Sequence, residues 1–340
     1  MDIYGMTLTQ LETYFENINE KKFKASQVYD WLYKKRITSF EDMSNIKKEI
    51  IDKLKEDYKI TFPKLILRQD GKGVYKYLFE LSDKSNVEAV VMIHDYGISL
   101  CLSTQVGCNM GCAFCESGRR KKKRSLTPGE MVSQILLIEK DLDKRISHIV
   151  LMGIGEPFDN YDNVMTFIRI INDGKGIDIG ARHITVSTCG IVPKIRQFAG
   201  EKTQVNLAIS LHAPNDDLRN KLMKINKVYK INDVIDAVKY YIKKTNRRVT
   251  FEYIMLSGVN DSENCAKQLA HLLEGLNAYV NLIPYNETSH IQFKKTDKAN
   301  IMKFYDILKK NKINVTIRKE FGGEVSAACG QLRSNYEEGI

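Results

Sequence analysis

Three closely spaced cysteines, Cys108, Cys112 and Cys115, carry the clearest chemical signal in this sequence. They lie in the stretch CNMGCAFC, and a CxxxCxxC spacing can bring three thiolates to one metal centre. A four-iron cubane held by three thiolates keeps one iron open to a small chelating ligand. The spacing therefore predicts an iron–sulfur cluster that takes part in catalysis.

Two simpler interpretations of these cysteines fit less well. A structural zinc site needs a fourth Cys or His and usually pairs one CxxC with another, and no second pair lies nearby. Inert buried cysteines would belong to a core strand or helix, which would avoid the neighbouring Gly107 and Gly111. We therefore favour a cluster over zinc or inert thiols.

Two further cysteines, Cys101 and Cys329, are candidates for a chemical role. Cys101 shortly precedes the CxxxCxxC stretch on an apolar run, and Cys329 lies in VSAACGQL near the end of the chain. Each could be a small buried hydrophobe, as free cysteines usually are. The surroundings of Cys329, with Gly322, Gly323 and Gly330, favour a loop over a core element, and a loop cysteine suggests chemistry.

The elements that would position these thiols alternate between apolar strands and amphipathic helices. The strand-like runs are ISLCLST, SHIVLMGIG, HITVSTC, VNLAISLHA, RVTFEYIML and YVNLIPYN. Helices are predicted near 130–142, 161–172, 191–199, 232–244, 261–275 and 297–310, the first preceded by an N-cap at Thr127. Six such repeats are too few for a closed eight-fold barrel. They predict an α/β fold with an open (βα)6 partial TIM barrel and active residues at the C-terminal strand ends.

Polar residues close these apolar strands and are candidates for ligand contacts. They are Glu156 in GIGEP, Ser187, Ser210, His212 and Asn286, and we include the neighbouring Gly155 and Leu211 with them. Each polar side chain alone could be a cap or a satisfied core group, and for His212 this alternative stays open. Together the residues predict a polar rim around a site.

The first ninety residues differ from the rest of the chain. Leu8, Leu11 and Phe15 recur at helical spacing, and the runs 74–81 and 87–93 predict a hairpin that links this helical module to the barrel. We expect an accessory module at 1–90, a core at 94–325 and a C-terminal segment at 326–340. The module's lysines could contact RNA or only keep the surface soluble, and both interpretations stay open.

Composition agrees with a cytoplasmic catalyst that meets an anionic partner. The chain has 340 residues, 43% of them hydrophobic, and a net charge of +10. Seven cysteines without a signal peptide predict reduced thiols, and no membrane-spanning run is present in the sequence. The basic run Arg119–Arg124 is either a solvated loop or a phosphate-binding surface.

At this level of detail the sequence resembles the RlmN family of radical S-adenosylmethionine (SAM) methyltransferases. The resemblance is carried by CLSTQVGCNMGCAFC, GIGEPFDNYDNV, GARHITVSTCGIVPKI, AISLHAPNDDLRNKLMKIN, VNLIPYN and VTIRKEFGGEVSAACGQLR, and by EKKFKASQVYDWLYKKRITSFEDM in the accessory module. Such enzymes methylate adenine C2 in 23S rRNA and, in known members, in tRNA. Pro157 and the YDNV that follows favour C2 over the sister family that modifies C8.

The resemblance implies one [4Fe-4S] cluster per chain on Cys108, Cys112 and Cys115. It implies SAM contacts at the polar rim: Gly155, Glu156, Ser187, Ser210, Leu211, His212 and Asn286. Because adenine C2 is electron-poor, it cannot attack a methyl group directly, and a radical route is implied. The chain departs from the family at Cys189, where Ser is usual, and we expect SAM binding to survive this change.

The resemblance also assigns the remaining roles. Cys329 would become S-methylcysteine, Cys101 would release the product by a transient disulfide with Cys329, and Glu88 would accept the C2 proton. From the sequence alone Glu88 would face solvent on its strand. Implied partners are 23S rRNA, tRNA and an external flavodoxin-like or ferredoxin-like one-electron donor, with a monomeric chain. The alternatives are a C8 methyltransferase and, more remotely, a non-catalytic RNA-binding iron–sulfur protein.

Overall fold

A computed structural model describes residues 1–318 and 330–339. The strands are β1 (Lys64–Gly71), β2 (Val74–Glu80), β3 (Asn86–His94), β4 (Gly97–Leu102), β5 (Gln105–Val106), β6 (Arg124–Ser125), β7 (His148–Leu151), β8 (Ile184–Thr188), β9 (Asn206–Ser210), β10 (Val249–Met255), β11 (Ala278–Pro284) and β12 (Asn314–Ile317). The helices are α1 (Leu8–Asn17), α2 (Phe23–Tyr33), α3 (Lys48–Asp57), α4 (Pro128–Leu142), α5 (Tyr161–Asn172), α6 (Val192–Phe198), α7 (Asp216–Leu222), α8 (Ile231–Thr245), α9 (Glu263–Leu272), α10 (Lys298–Lys310) and α11 (Gln331–Glu338).

One open sheet organises the described residues. Its order is β1-β2-β3-β4-β7-β8-β9-β10-β11-β12, and in it β4 and β7–β12 run parallel. The six strands predicted from sequence are β4 and β7–β11, each followed by a helix, so the open (βα)6 prediction is confirmed. The sequence did not predict β12, which adds a further parallel strand at the edge.

An antiparallel extension continues the sheet beyond the barrel. The predicted hairpin is confirmed as β2 and β3, and β3 pairs with β4 so that Val90 lies opposite Cys101. The strand β1, which was not predicted, covers the outer edge of β2. The extension therefore belongs to the same sheet as the parallel strands and places its inward residues beside Cys101.

The helices begin and end where local chemistry directs them. Thr127 caps α4 through a reciprocal capping box with Glu130, and Pro128 occupies its first turn, as predicted. Helices α3, α7 and α11 were not predicted. In the described residues no helix is long and apolar enough to cross a membrane.

The N-terminal helices pack directly on the barrel helices. Arg36 pairs with the buried Glu139 of α4 at 2.5 Å, and the hydroxyl of Tyr29 lies 3.5 Å from the carbonyl oxygen of Ile170 in α5. Apolar side chains of the module and of the barrel form one continuous core. The module boundaries given above stay a prediction.

Candidate active site

A cavity of about 340 Å³ lies at the C-terminal ends of the parallel strands. This volume is within the range of small-molecule sites. Its lining brings together eleven of the predicted site residues: Glu88, Cys101, Cys108, Cys112, Cys115, Gly155, Glu156, Ser187, Ser210, His212 and Asn286. Leu211 is fully buried and is not part of the lining. Cys329 lies outside the described residues.

The three thiols lie in the loop 107–123 between β5 and β6, which we call the cluster loop, and the pairing of these two strands holds its base. Cys108 N–H donates to the Arg120 carbonyl at 3.1 Å, and Val106 lies opposite Arg124. Gly107 has φ +80, and a Cβ atom added there would lie 2.3 Å from the Lys121 carbonyl oxygen. Only glycine fits this position, which explains one of the two glycines noted in the sequence.

The far end of the same loop docks on α7. Ala113 N–H donates to the Leu222 carbonyl at 2.9 Å, and Cys112 and Phe114 pack against Leu222 and Met223. Burial raises the pKa of the Cys112 thiol, neighbouring thiols raise it further, and the positive charge of Arg219 lowers it. Burial likewise raises the pKa of Cys108 to about 12. These thiols would be ionised by a bound metal centre and not by the protein alone.

The donor set of this loop fits an iron–sulfur cluster. Three thiolates on one short loop match a four-iron cubane that keeps one iron open, whereas a structural zinc site takes four protein ligands. The donor set therefore favours a cluster over zinc.

Gly155 and Glu156 follow β7 in a tight turn. Gly155 has φ +111, and a Cβ atom added to it would lie 2.7 Å from the Gln105 Cβ. The Glu156 carboxylate is buried and accepts N–H bonds from Phe158 at 3.0 Å and Cys189 at 2.8 Å. Burial raises the pKa of this carboxyl, and the two bonds oppose the rise. Each oxygen keeps a lone pair for a ligand ammonium group.

Cys189, the departure from the family pattern, reaches Glu156 through its backbone amide. That hydrogen bond does not depend on whether the side chain is Ser or Cys. The Cys189 side chain is buried and lines the cavity, and burial followed by the charge of Glu156 raises its thiol pKa well above the usual range. Cys189 is therefore a neutral thiol beside the cluster loop.

Ser187, Ser210 and His212 close β8 and β9 around the cavity. The Ser187 and Ser210 hydroxyl oxygens lie 3.3 Å apart, so one donates to the other. His212 has φ +59, accepts the Ile254 N–H at Nδ1, and meets Phe114 edge to face at 4.8 Å. Burial lowers the pKa of His212 to about 3, so its ring is neutral with the proton on Nε2. His212 thus lines the cavity although it is buried.

We call these residues at the ends of β7–β11 the parallel wall, and the inward residues of β2 and β3 with α11 the antiparallel wall. On the antiparallel wall Glu88 is 2% exposed and pairs with Lys76 at 3.3 Å. Its carboxylate also accepts the backbone N–H groups of Gly330, at 2.9 Å, and Arg333. The expectation from the strand pattern that Glu88 faces solvent is therefore wrong, because α11 covers it.

Cys101 lies between the two walls. Burial raises the pKa of its thiol, whereas the charges of Arg318 and Lys76 lower it. Arg318 reaches from the edge beyond β12 to Met92 on β3, with Nη2 3.7 Å from the sulfur. Two cations, one on β2 and one beyond the edge strand β12, therefore act on Cys101.

Sequence reasoning missed several buried or cavity-lining charged residues, among them Lys76, Arg219, Glu252 and Arg318. Glu252 is 4% exposed and accepts the Asn281 amide at 2.8 Å. Lys76 in VYKYLF and Glu252 in VTFEYIML each interrupt an apolar strand, and that signal could have identified both.

The basic run Arg119–Arg124 is largely neutralised within the chain. Arg120 pairs with Glu337 and Glu338, Lys122 with Asp159, and Arg124 with Asp83 and Glu130. In the described part of the chain, Lys121 and Lys123 form no ion pair and are exposed. These two lysines are the part of the run best suited to phosphate.

Comparison with known proteins agrees with the geometry. The radical SAM superfamily profile matches residues 102–269, and the ribosomal RNA large subunit methyltransferase N-terminal domain matches residues 1–60. A probable dual-specificity RNA methyltransferase RlmN from Enterococcus faecalis is 56% identical, covering 98% of this chain and 96% of its own. A protein of the same description from Lactococcus lactis is 54% identical over 98% of this chain and 94% of its own.

A solved structure shows the same architecture. The crystal structure of a radical SAM methyltransferase from Sphaerobacter thermophilus superposes with a TM-score of 0.92 at 39% identity, covering 97% of this chain and 98% of that one. Both the barrel and the accessory module are therefore matched. The chain belongs to the RlmN family and is a radical SAM RNA methyltransferase.

Proposed function

We propose that this enzyme methylates C2 of an adenine in 23S rRNA and of an adenine in the tRNA anticodon loop, using two SAM molecules and an S-methylcysteine at Cys329. One observation carries the proposal. The same cavity is lined by the three thiols of the cluster loop and by Cys101, and Gly330, which follows Cys329 in sequence, bonds to Glu88 on its wall. Radical chemistry and thiol chemistry therefore share one site.

Cys108, Cys112 and Cys115 would hold a [4Fe-4S] cluster, as the donor set favours. The cluster would supply the electron that cleaves SAM to a 5′-deoxyadenosyl radical. Around the SAM, Glu156 accepts from the ammonium group, while the Ser187 and Ser210 hydroxyls, the neutral His212 and Asn286 supply polar contacts. Gly155 lets the backbone approach, and Leu211 contributes through its backbone.

The chain's own thiols carry the methyl group. The Cys329 thiolate attacks the methyl carbon of one SAM, becomes S-methylcysteine and releases S-adenosylhomocysteine. The 5′-deoxyadenosyl radical takes a hydrogen atom from that methyl, and the resulting methylene radical bonds to C2. Glu88 accepts the C2 proton as the adduct gives up one electron, which a bound cluster would accept. The Cys101 thiolate then attacks the Cys329 sulfur, so that a disulfide forms while the bond between that sulfur and the methylene carbon breaks, and the carbon takes up a proton as the RNA leaves. Arg318 and Lys76 favour the Cys101 thiolate that this last step needs.

The proposal extends to the partners. An external flavodoxin-like or ferredoxin-like protein would deliver the electron, and a monomeric chain would act in the cytoplasm. The C2 assignment is supported by Pro157, which opens the short helix Pro157–Asn160 after the SAM-binding turn.

The decisive experiment uses Cys101→Ala with labelled RNA under anaerobic conditions. Because the adduct cannot be resolved, RNA should stay covalently attached to Cys329, as detected by denaturing gel and peptide mass analysis. Cys265→Ala, which changes a buried cysteine of α9 away from the cavity, is the matched control and should turn over normally. Free methylated RNA at wild-type rates from Cys101→Ala would refute the mechanism, and mass mapping to C8 would refute the C2 assignment.

A further inference from the structure

Arg219, on α7 directly behind the cluster loop, is the largest fully buried side chain in the described residues. Its guanidinium donates to four neutral oxygens: the carbonyls of Leu211 (3.2 Å), Cys189 (2.6 Å) and Ser210 (3.4 Å), and Oδ1 of Asn226 (3.0 Å). In residues 1–318 and 330–339 it forms no ion pair. A fully buried cation without a counter-charge is costly, because desolvation is not repaid by attraction to an anion.

Arg219 lies on the side of the cavity that carries the thiols, where a bound cluster could supply its counter-charge. Leu222 and Met223, at the end of α7, pack against Cys112 and Phe114 of the cluster loop. Nη2 of Arg219 donates to the carbonyl of Cys189, whose side chain lines the cavity together with Cys112, whereas the Asp216 carboxylate is separated from the guanidinium by Asn226. The guanidinium therefore points its charge at the place where an anionic metal centre would sit.

A second cation approaches the same loop from outside. A Cβ atom added at Gly111 would lie 3.3 Å from Nζ of Lys224, so the ammonium group rests against the backbone between Cys108 and Cys112. Lys224 is exposed, and solvent screens its charge more strongly than that of Arg219.

We propose that Arg219, with Lys224 as its weaker exposed partner, supplies the positive charge that stabilises the reduced form of the cluster, so that both are positioning residues for electron delivery. Reduction adds one negative charge to the centre, and cluster potentials follow the net charge and hydrogen bonding around the sulfurs. This inference rests on the proposed function, because it requires the cluster.

The test measures the midpoint potential of the anaerobically reconstituted full chain by a titration followed by electron paramagnetic resonance, with iron content verified. Arg219→Gln should lower the equilibrium constant for one-electron reduction at least about ten-fold, a downward shift of about 59 mV. Arg219→Lys, which keeps the charge, should stay close to wild type. An unchanged potential in Arg219→Gln would overturn the inference.

Asn226→Ala is the matched control. It removes one hydrogen-bond partner of Arg219 from the same buried site and leaves the charge in place. Its potential should match wild type. A fall as large as that of Arg219→Gln would show that packing, and not charge, sets the potential.

Lys224→Glu keeps the test decisive even if Arg219→Gln does not fold, because it changes only an exposed side chain. The potential should fall at low ionic strength, and the fall should shrink as salt is added. No fall at low salt would refute the proposed sign of the effect. A chain that binds no cluster in any variant would overturn the proposed function as well, whereas a bound cluster with unchanged potentials would overturn only this inference.

Discussion

The two walls of the cavity are built from different chemistry. The parallel wall offers backbone amides, hydroxyls, a neutral His212 and the carboxylate of Glu156, with side chains that close parallel strands. The antiparallel wall contains the fully buried pair Lys76–Glu88 and the first turn of α11. One wall is suited to chelating and orienting a zwitterionic cofactor. The other places a buried ion pair beside Cys101, so that under the proposed mechanism the same cavity would separate radical generation from proton and sulfur transfer.

The largest difference in effect between the two walls should come from Cys112→Ala. Removing one of the three thiolates should abolish cluster binding and SAM cleavage while the antiparallel wall stays folded, since Lys76 and Glu88 are carried by β2 and β3 and not by the loop. Iron content and 5′-deoxyadenosine formation measure this loss. Cys265→Ala should retain both, and SAM cleavage by iron-loaded Cys112→Ala would contradict the assignment.

On the antiparallel wall, Glu88→Gln should lower the free energy of unfolding by about 3–5 kcal/mol, because it removes the buried carboxylate charge that pairs with the buried Lys76. Urea unfolding of the cluster-free chain measures the change. The double variant Lys76→Met with Glu88→Gln should lose less than the sum of the single variants. SAM affinity should change less than about two-fold, and a larger loss would mean that the two walls are not independent.

Gly155→Ala tests the parallel wall by geometry and not by charge. The added Cβ would meet Gln105 at 2.7 Å with the backbone at φ +111, so unfolding free energy should fall by about 1–3 kcal/mol. SAM affinity, measured by calorimetry, should fall about ten-fold. Gly180→Ala is the control, because a Cβ atom there meets nothing within 4 Å and should leave both quantities unchanged.

The smallest effect is expected outside both walls, at Lys121 and Lys123. Changing both to Gln should weaken RNA binding modestly at low salt and reduce the salt dependence by about 0.7 in logarithmic slope for each phosphate that is no longer neutralised. SAM cleavage without RNA should not change. The exposed pair Lys243 and Lys244 on α8, changed in the same way, controls for net charge. Equal RNA affinity of both variants at low salt would rule out a role for Lys121 and Lys123.

Local sequence signals predicted the parallel half of the sheet because each strand is a continuous apolar run followed by an amphipathic helix. The capping residues Thr127 and Glu130 fixed the start of α4 for the same local reason. Strand β1 was not predicted because its side chains are largely half-buried or exposed, and β12 was not predicted because it has only four residues. Short or edge strands depend on neighbours that a local pattern does not contain.

The site followed the same division. The cluster cysteines and the polar strand ends could be predicted from spacing and position, since both are local properties. The burial of Glu88 could not, because the residues that cover it, Gly330 and Arg333, come from the other end of the chain. Arg219 was missed for a related reason: in NDDLRNKL it looks like an ordinary surface cation of a polar helix.

The hydrophobic core that joins the N-terminal helices to the barrel has a consequence for how the molecule denatures. Since the apolar core is continuous across the two parts, heating should give a single calorimetric peak, with equal van 't Hoff and measured enthalpies. An amino-terminal truncation would then expose apolar surface on α4 and α5, and the truncated chain should aggregate instead of forming a folded barrel.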